Sequence, residues 1–297
     1  MLKTLSLLML AFLAGPLHAA ERIVDTAYGP IKLQGTAQRV ITLDEDSFDT
    51  ALALGIQPVG TVSTRGSDQV SSYLKDKAGN PAIVGTSRAP NIEAIFKLKP
   101  DLILTSSTIN KELYAAYSRI APTVVAKGNS SAGWQDGTRF YAKALDREAQ
   151  GKAVLQAIDT RIEVLKANVP AGQSVSVVRW NPQGPMTMSS KIFAGQLLSA
   201  AGFKSTELAS SLSKPHSDIL SLENLSKIDA DWLFVASLNS DGAKTLATAR
   251  QQPAFERLGA VRNKQVIDVD GQVWSSGSGP LAANKVLDDL EKVFLKP

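Results

Sequence analysis

The stretch Glu93-Ala-Ile-Phe-Lys97-Leu-Lys-Pro-Asp101, running into Leu102-Ile-Leu-Thr105, returns in outline 130 residues later as Glu223-Asn-Leu-Ser-Lys227-Ile-Asp-Ala-Asp231, running into Trp232-Leu-Phe-Val235. Glu, Lys and Asp recur at the same offsets in both copies. Each copy passes from helical spacing to a continuous apolar run, which is the pattern of a short helix feeding a buried parallel strand. One α/β layer repeated once predicts two similar lobes, and the gap between two lobes is where small ligands bind.

Further apolar runs extend both lobes. In the first, Arg39-Val-Ile-Thr-Leu43, Pro58–Val62, Ile83-Val84 and Thr123–Val125 read as strands, preceded by a lead-in, Arg22 to Leu33, that turns at Gly29-Pro30. Asp44, Glu45, Asp46 and Ser47 open a helix, Phe48 to Leu54, which Gly55 closes. Acidic residues and Ser favour that end by capping and by the helix dipole, and Gly suits the exit. In the second lobe, Ser174–Val178, Trp232–Val235 and Gln265–Val269 read as strands, Phe193–Ala201 as a helix closed by Gly202, and Ala282–Leu295 as a terminal amphipathic helix. Leu52-Ala-Leu-Gly55-Ile and Ser199-Ala-Ala-Gly202-Phe end the first helix of each lobe alike, which supports duplication. Strands alternating with helices predict an α/β fold with parallel sheets.

Between the lobes, Phe140 to Asn168 has no proline and carries Leu145, Ala149, Ala153, Leu155, Ile158, Ile162 and Leu165 at roughly helical spacing. This predicts one helix of about 25–30 residues, some 40 Å long, acting as a stiff strut. Gly151 inside it costs about 1 kcal/mol relative to Ala. The expected organisation is a signal peptide over 1–19, an N-terminal lobe over 20–138, an interlobe helix over 139–169 and a C-terminal lobe over 170–297.

The 297 residues, 44% apolar and 20% charged, suffice for two domains. Lys3, the apolar stretch Leu5–Leu13, the Gly15-Pro16 break and Leu17-His18-Ala19-Ala20 read as a cleavable secretory signal, too short for a membrane anchor. Removing it takes Lys3 away, so the net charge falls from +4 to +3. That is mildly basic, with no Lys/Arg block suited to nucleic acid but some advantage for anionic small ligands. There is no cysteine, so the fold needs no disulfide and no N-terminal Cys is present for lipid attachment. A free periplasmic protein is expected.

Four stretches carry a family resemblance. They are Arg39-Val-Ile-Thr-Leu43 with Ser47-Phe48; Val84-Gly-Thr-Ser-Arg88-Ala-Pro-Asn-Ile-Glu93 into Lys99-Pro-Asp-Leu-Ile-Leu104; Ser221-Leu-Glu223; and Val269-Asp-Gly-Gln-Val-Trp274 into Gly279-Pro-Leu-Ala-Ala-Asn284. In their order and spacing the chain resembles the periplasmic substrate-binding proteins that deliver ferric siderophores to ABC importers, over nearly all of its mature length. The resemblance implies two Rossmann-like lobes joined by a single long helix, with a shallow cleft that opens and closes little. It also implies that Glu93 and Glu223, one per lobe, seat the protein on arginines of an inner-membrane permease dimer. Each glutamate has a plainer role as well, since a carboxylate in a first helical turn gains roughly 0.3–1 kcal/mol from the dipole.

A bulky anionic chelate calls for Arg, whose guanidinium forks onto carboxylate or hydroxamate oxygens, and for aromatic surface. Arg88 falls where a strand ends, the ligand end of a doubly wound sheet, and the resemblance puts a ligand-contacting arginine in that stretch. Arg65 follows the second strand. Arg179 and Trp180 follow the first strand of the second lobe. Trp274 precedes the Ser275-Ser-Gly-Ser-Gly279 loop and is a candidate for the cleft wall. For each arginine the alternative is an ordinary solvated charge. Trp134 and Trp232 read as packing residues. His216 is the only histidine of the mature chain, a loop or cleft residue. One His cannot assemble a direct transition-metal site, so no metal ligands are assigned and iron is expected to stay in its chelate. Haem or cobalamin remain as other bulky chelates.

No catalytic residue is assigned. The Asp44–Ser47 cluster is explained by the helix start, and there is no Walker lysine motif and no Gly-x-Ser-x-Gly elbow. A remote alternative is an exported hydrolase, and a third class is a pure scaffold. The expected protein is a monomeric binding protein with no cofactor of its own and no nucleic-acid partner, which takes a ferric siderophore to an ABC permease.

Overall fold

The computed structural model describes residues 21–128 and 133–295. The expected signal peptide lies outside them. A hairpin of β1 (Glu21–Thr26) and β2 (Gly29–Gln34) leads in, turning at Gly29. The first lobe holds β3 (Val40–Thr42), β4 (Gly60–Ser63), β5 (Ala82–Thr86), β6 (Ala89–Pro90), β7 (Leu102–Thr105) and β8 (Thr123–Val125) in the order β6-β5-β4-β3-β7-β8. All pairs are parallel except β5–β6. The second lobe holds β9 (Ser174–Asn181), β10 (Gly184–Thr187), β11 (Lys204–Ser205), β12 (Trp232–Ser237) and β13 (Val266–Asp270) in the order β10-β9-β12-β13, with β11 also on β9. Here only β10 is antiparallel. This is the expected α/β fold of two parallel-rich lobes.

The repeated segment has a mechanical meaning in both lobes. Its first copy forms α2 (Ile92–Lys97) and enters β7, where the Asp101 carboxylate accepts the backbone N–H groups of Gln38 and Arg39 at 2.7 and 2.9 Å. Its second copy enters β12, where Asp231 accepts the N–H and hydroxyl of Ser174 at 2.7 and 2.8 Å. Each Asp therefore ties the amino end of its own strand to the amino end of the neighbouring first strand and sets the register of the parallel pair. The Ser174 donors hold the Asp231 carboxyl below the usual range. The copies differ in their helices, since the second is a 3₁₀ turn over Leu222–Ile228.

The expected single interlobe helix is two helices, α3 (Trp134–Ala144) and α4 (Glu148–Asn168), which corrects the 139–169 span. The chain turns at Asp146, whose φ of 60° is the left-handed conformation that Asp tolerates better than most residues. Nothing but that Asp marks the break, because neither Gly nor Pro is present there. Gly151 serves close packing: a Cβ on it would lie 2.7 Å from Cβ of Ala142, where α4 crosses α3. The remaining helix of 21 residues is about 32 Å long at 1.5 Å per residue. It buries Leu155, Ile158, Ile162 and Leu165 in the core of the second lobe. Arg161 on its outer side pairs with Asp288 and Glu291 of the last helix at 2.7 and 2.8 Å. Of the two tryptophans expected to pack, Trp134 is buried edge-on against Phe193, whereas Trp232 opens β12 half-buried and donates to Gln173 at 2.8 Å.

The lobes meet along a polar seam. Asp49, fully buried on α1 (Glu45–Ala53), accepts the N–H groups of Leu281 and Ala282 at 2.7 and 2.8 Å and the Tyr73 hydroxyl at 3.0 Å. It thus caps the last helix, α6 (Pro280–Phe294), from the other lobe (α5 being Phe193–Ala200). Gly279 makes the approach possible. Its φ is 102°, and a Cβ there would lie 2.7 Å from the Asp49 carboxyl. Ser72 adds bonds to Asp270 and Gln272 at 2.6 and 2.7 Å. Replacing Asp49 by Ala strands two buried helix-terminal donors, so Asp49→Ala is expected to cost about 2–4 kcal/mol in denaturant unfolding. A loss below 1 kcal/mol would show that the seam contributes little to stability.

Candidate functional site

A cavity of about 550 Å³ lies between the lobes. Its first wall is built from the carboxyl ends of β3, β4, β5 and β7, and β3 is the strand on which the order reverses. Loops there need not continue a ladder, so side chains and backbone groups are free to face a ligand. The second wall comes from β9, the segment after β10, the Pro215-His216 loop and the turn after β13.

Arg65, Arg88, Arg179, His216 and Trp274 all line this one cavity. Arg65 and Arg88 stand on exposed loops after β4 and β5. Arg179 belongs to β9 and keeps only 7% of its exposure. Its Nη2 donates to the Met186 thioether at 3.3 Å, and its Nε has no partner. Burial, and secondarily the nearby Arg65, pull its pKa down. His216 is half-buried, with Nδ1 2.8 Å from the Ser217 carbonyl oxygen.

One of the two candidate tryptophans differs from expectation. Trp180 does not reach the cavity. Successive strand residues face opposite ways, so Arg179 and Trp180 cannot share a face. Trp180 sits with Val178 in the core behind the sheet, edge-on to Phe255 at 6.0 Å. Trp274 forms part of the wall without presenting a free ring. It is 1% exposed, stacked on Phe234 at 4.6 Å, and its N–H donates to Asp289 at 3.0 Å. The turn Gly271–Trp274 is helical, and that turns the ring inward.

Asp44 and Glu45 have a second role that the helix-start pattern does not signal. Asp44 does cap α1, accepting the Ser47 N–H at 2.9 Å. Yet Asp44 and Glu45 also line the cavity. Glu45 accepts hydroxyls from Thr64, at 2.9 Å, and Ser71. Burial raises Asp44 to about 6, Glu45 to about 7 and Asp49 to about 8, and pushes Asp46 well up with help from Asp44 and Asp49. Arg65 pulls Glu45 down but does not overcome its burial. Among the described residues no group of three or more His, Asp or Glu is placed to hold a metal ion. Glu93 and Glu223 lie outside the cavity, exposed in the first turns of their helices, and Glu93 pairs with Lys97 at 2.7 Å. Glu93 follows the lining Arg88 by five positions in the sequence and Glu223 follows the lining His216 by seven.

Carboxyls raised by folding bind protons more tightly in the native state. Their stabilising contribution is full below about pH 4 and is lost as the pH rises through 6 to 8. The thermal midpoint is therefore expected to be higher at pH 5 than at pH 8, and Glu45→Gln is expected to flatten part of that slope. Equal slopes for the two proteins in differential scanning calorimetry would clear Glu45 of the effect.

Residues 40–273 match the family described as periplasmic binding protein. A probable siderophore-binding lipoprotein, YfiY, of Bacillus subtilis strain 168 is 34% identical, the alignment covering 87% of this chain and 83% of that one. The Fe(3+) dicitrate-binding periplasmic protein FecB of Escherichia coli K12 is 24% identical over 93% of this chain and 91% of its own. Among solved structures, Staphylococcus aureus SirA complexed with staphyloferrin B superposes with a TM-score of 0.79 at 28% identity, covering 91% of this chain and 97% of that one.

Proposed function

The chain belongs to the periplasmic binding protein family, and from that premise we propose that it captures an intact ferric siderophore between its lobes and delivers it to an ABC permease in the inner membrane. The observation that carries this reading is the convergence of Arg65 and Arg88 from one lobe and Arg179 from the other on a single cavity. Guanidinium groups suit an anionic chelate, and the siderophore-binding and ferric-citrate-binding names of the relatives favour such a cargo over haem or cobalamin. Iron stays coordinated by its chelate, and the protein has no cofactor of its own. The protein acts as a monomeric carrier from which the ligand leaves unchanged, and not as an enzyme. The basic, apolar and small-residue segments of 1–19 fit export to the periplasm through a cleaved signal.

Docking runs through Glu93 and Glu223. Both are exposed, each with exposed apolar residues close by in the sequence: Ile92 and Phe96 at 39% and 65%, Ile219 and Leu222 at 46% and 41%. Matched glutamates on two similar lobes suit a partner built from two halves. Native mass spectrometry against a siderophore panel, with and without Fe³⁺, tests the cargo. A one-to-one complex retaining iron is expected, and recovery of a cleaved ligand would favour the hydrolase. Reversing both charges, Glu93→Lys with Glu223→Lys, is expected to abolish uptake while leaving ligand affinity within about twofold. A parallel loss of ligand affinity would reject the docking role.

A further inference from the structure

Of the two acids that line the interlobe cavity, only Glu45 is held entirely by hydroxyl groups among the described residues. Asp44 accepts the Ser47 backbone N–H at 2.9 Å, and Asp49, further along α1, accepts those of Leu281 and Ala282. A backbone N–H can only donate, whereas a hydroxyl both donates and accepts. No ion pair among the described residues includes Glu45.

One Glu45 oxygen meets the Ser71 hydroxyl and the other meets the Thr64 hydroxyl at 2.9 Å, and these two hydroxyls lie 2.8 Å apart. The contacts close a ring from Glu45 through Ser71 and Thr64 back to Glu45. That ring has three hydrogen-bonding contacts, yet its two hydroxyls bring only two protons. With Glu45 ionised, one contact carries no proton. A proton on Glu45 completes the ring, so that each group donates to the next and the bonds reinforce one another. Ser71 and Thr64 are buried, and rotation of their hydroxyls is all that separates the two states.

The surrounding charges hold these states close in free energy. The first turn of α1 favours the anion, and so does Arg65 on the loop after β4. Burial and the like charges of Asp44 and Asp49, with Asp46 on the same helix, favour the neutral acid. Tyr73 donates to Asp49, and burial keeps it neutral, while Tyr141 of α3 reaches Asp44 and not Glu45. Arg88, Arg179 and His216 complete the charged and titratable lining of the cavity.

We propose that cargo binding is coupled to uptake of a proton by Glu45, so that the protein holds an anionic chelate more tightly as the medium becomes more acidic. An anion in the cavity adds like charge beside Glu45, displaces water from it and offsets the pull of Arg65. All three favour the protonated acid. The proton comes from solvent and adds to a carboxyl oxygen, while the chelate keeps its bonds and the iron its oxidation state. By linkage the affinity is level below the value of free Glu45, which burial has raised to about 7, and falls as the pH rises above it. The inference rests on the proposed ferric siderophore cargo and adds a control on how firmly that cargo is held.

The test titrates the mature protein with ferric dicitrate and a ferric tris-catecholate, both anionic, and with a neutral ferric trihydroxamate. Calorimetry at pH 7.5 in HEPES and in Tris, whose ionisation heats differ, counts protons, and tryptophan fluorescence from pH 6 to pH 8.5 gives affinities. For an anionic chelate that binds, the native protein is expected to take up about half a proton more per complex at pH 7.5 than Glu45→Gln does. The ratio of native to Glu45→Gln affinity is expected to fall about five- to tenfold from pH 6 to pH 8.5. Comparison with the variant cancels the chelate's own titration, and the Gln amide, which donates to one hydroxyl and accepts from the other, keeps the ring. Arg65→Gln is expected to move the fall in affinity up by about half a pH unit, because Glu45 then stays protonated to higher pH. Equal proton uptake by the native protein and Glu45→Gln would overturn the coupling and leave siderophore binding standing, as would binding of the trihydroxamate alone. If Glu45→Gln does not fold, a fall in affinity that Arg65→Gln leaves in place overturns it instead. Failure of every ferric chelate to bind would overturn both.

Discussion

One buried carboxyl group holds the two halves in register. Asp49 lies on the first helix of one lobe and caps the last helix of the other, so the end of the chain is fixed to its beginning. The geometry leaves little tolerance: Pro280 opens the helix, Gly279 takes a conformation that L-residues avoid, and any side chain there would strike the carboxyl. Tyr73 and the Ser72 contacts extend the seam towards the cavity. The walls of the site are therefore positioned by packing that is already complete without a ligand.

The electrostatics of the site follow from that placement. Four acids crowd the start of one helix, and burial makes them reluctant to ionise. Three guanidinium groups line the same space, and none of them forms an ion pair among the described residues. Asp44 and Glu45 are engaged in internal hydrogen bonds and disfavoured as anions by burial, so the arginines dominate the charge of the cavity although both signs are present. Arg179 sits at the centre of that imbalance, buried and without an ion-pair partner among the described residues.

Much of the fold was legible in the sequence because buried parallel strands are nearly uninterrupted apolar runs. Leu102–Thr105 and Trp232–Ser237 stand out for that reason, and the Glu, Lys and Asp before them marked the duplication. The break between α3 and α4 was not legible, since Asp146 is neither Gly nor Pro and the surrounding spacing stays helical. Within the site, strand-end position identified Arg65, Arg88 and Arg179 as facing one space. Trp180 was misplaced, and strict alternation along β9 held the signal that would have corrected it. The second role of Asp44 and Glu45 could not be read, nor the seam contact of Asp49. Their partners lie 26 residues from Glu45 at Ser71, 97 from Asp44 at Tyr141 and 232 from Asp49 at Leu281. Only the folded chain brings such groups together.

The separation of seam from rim has an evolutionary corollary. Residues that hold the halves together, such as Asp49, Gly279 and Ser72, are not the arginines that line the cavity. Selection can exchange groups on the loops after β4 and β5 without loosening the joint, and each exchange is judged on its own chemistry. A lineage built this way can change what it carries by a few substitutions while the chassis drifts slowly, constrained chiefly by one acid and the glycine opposite it.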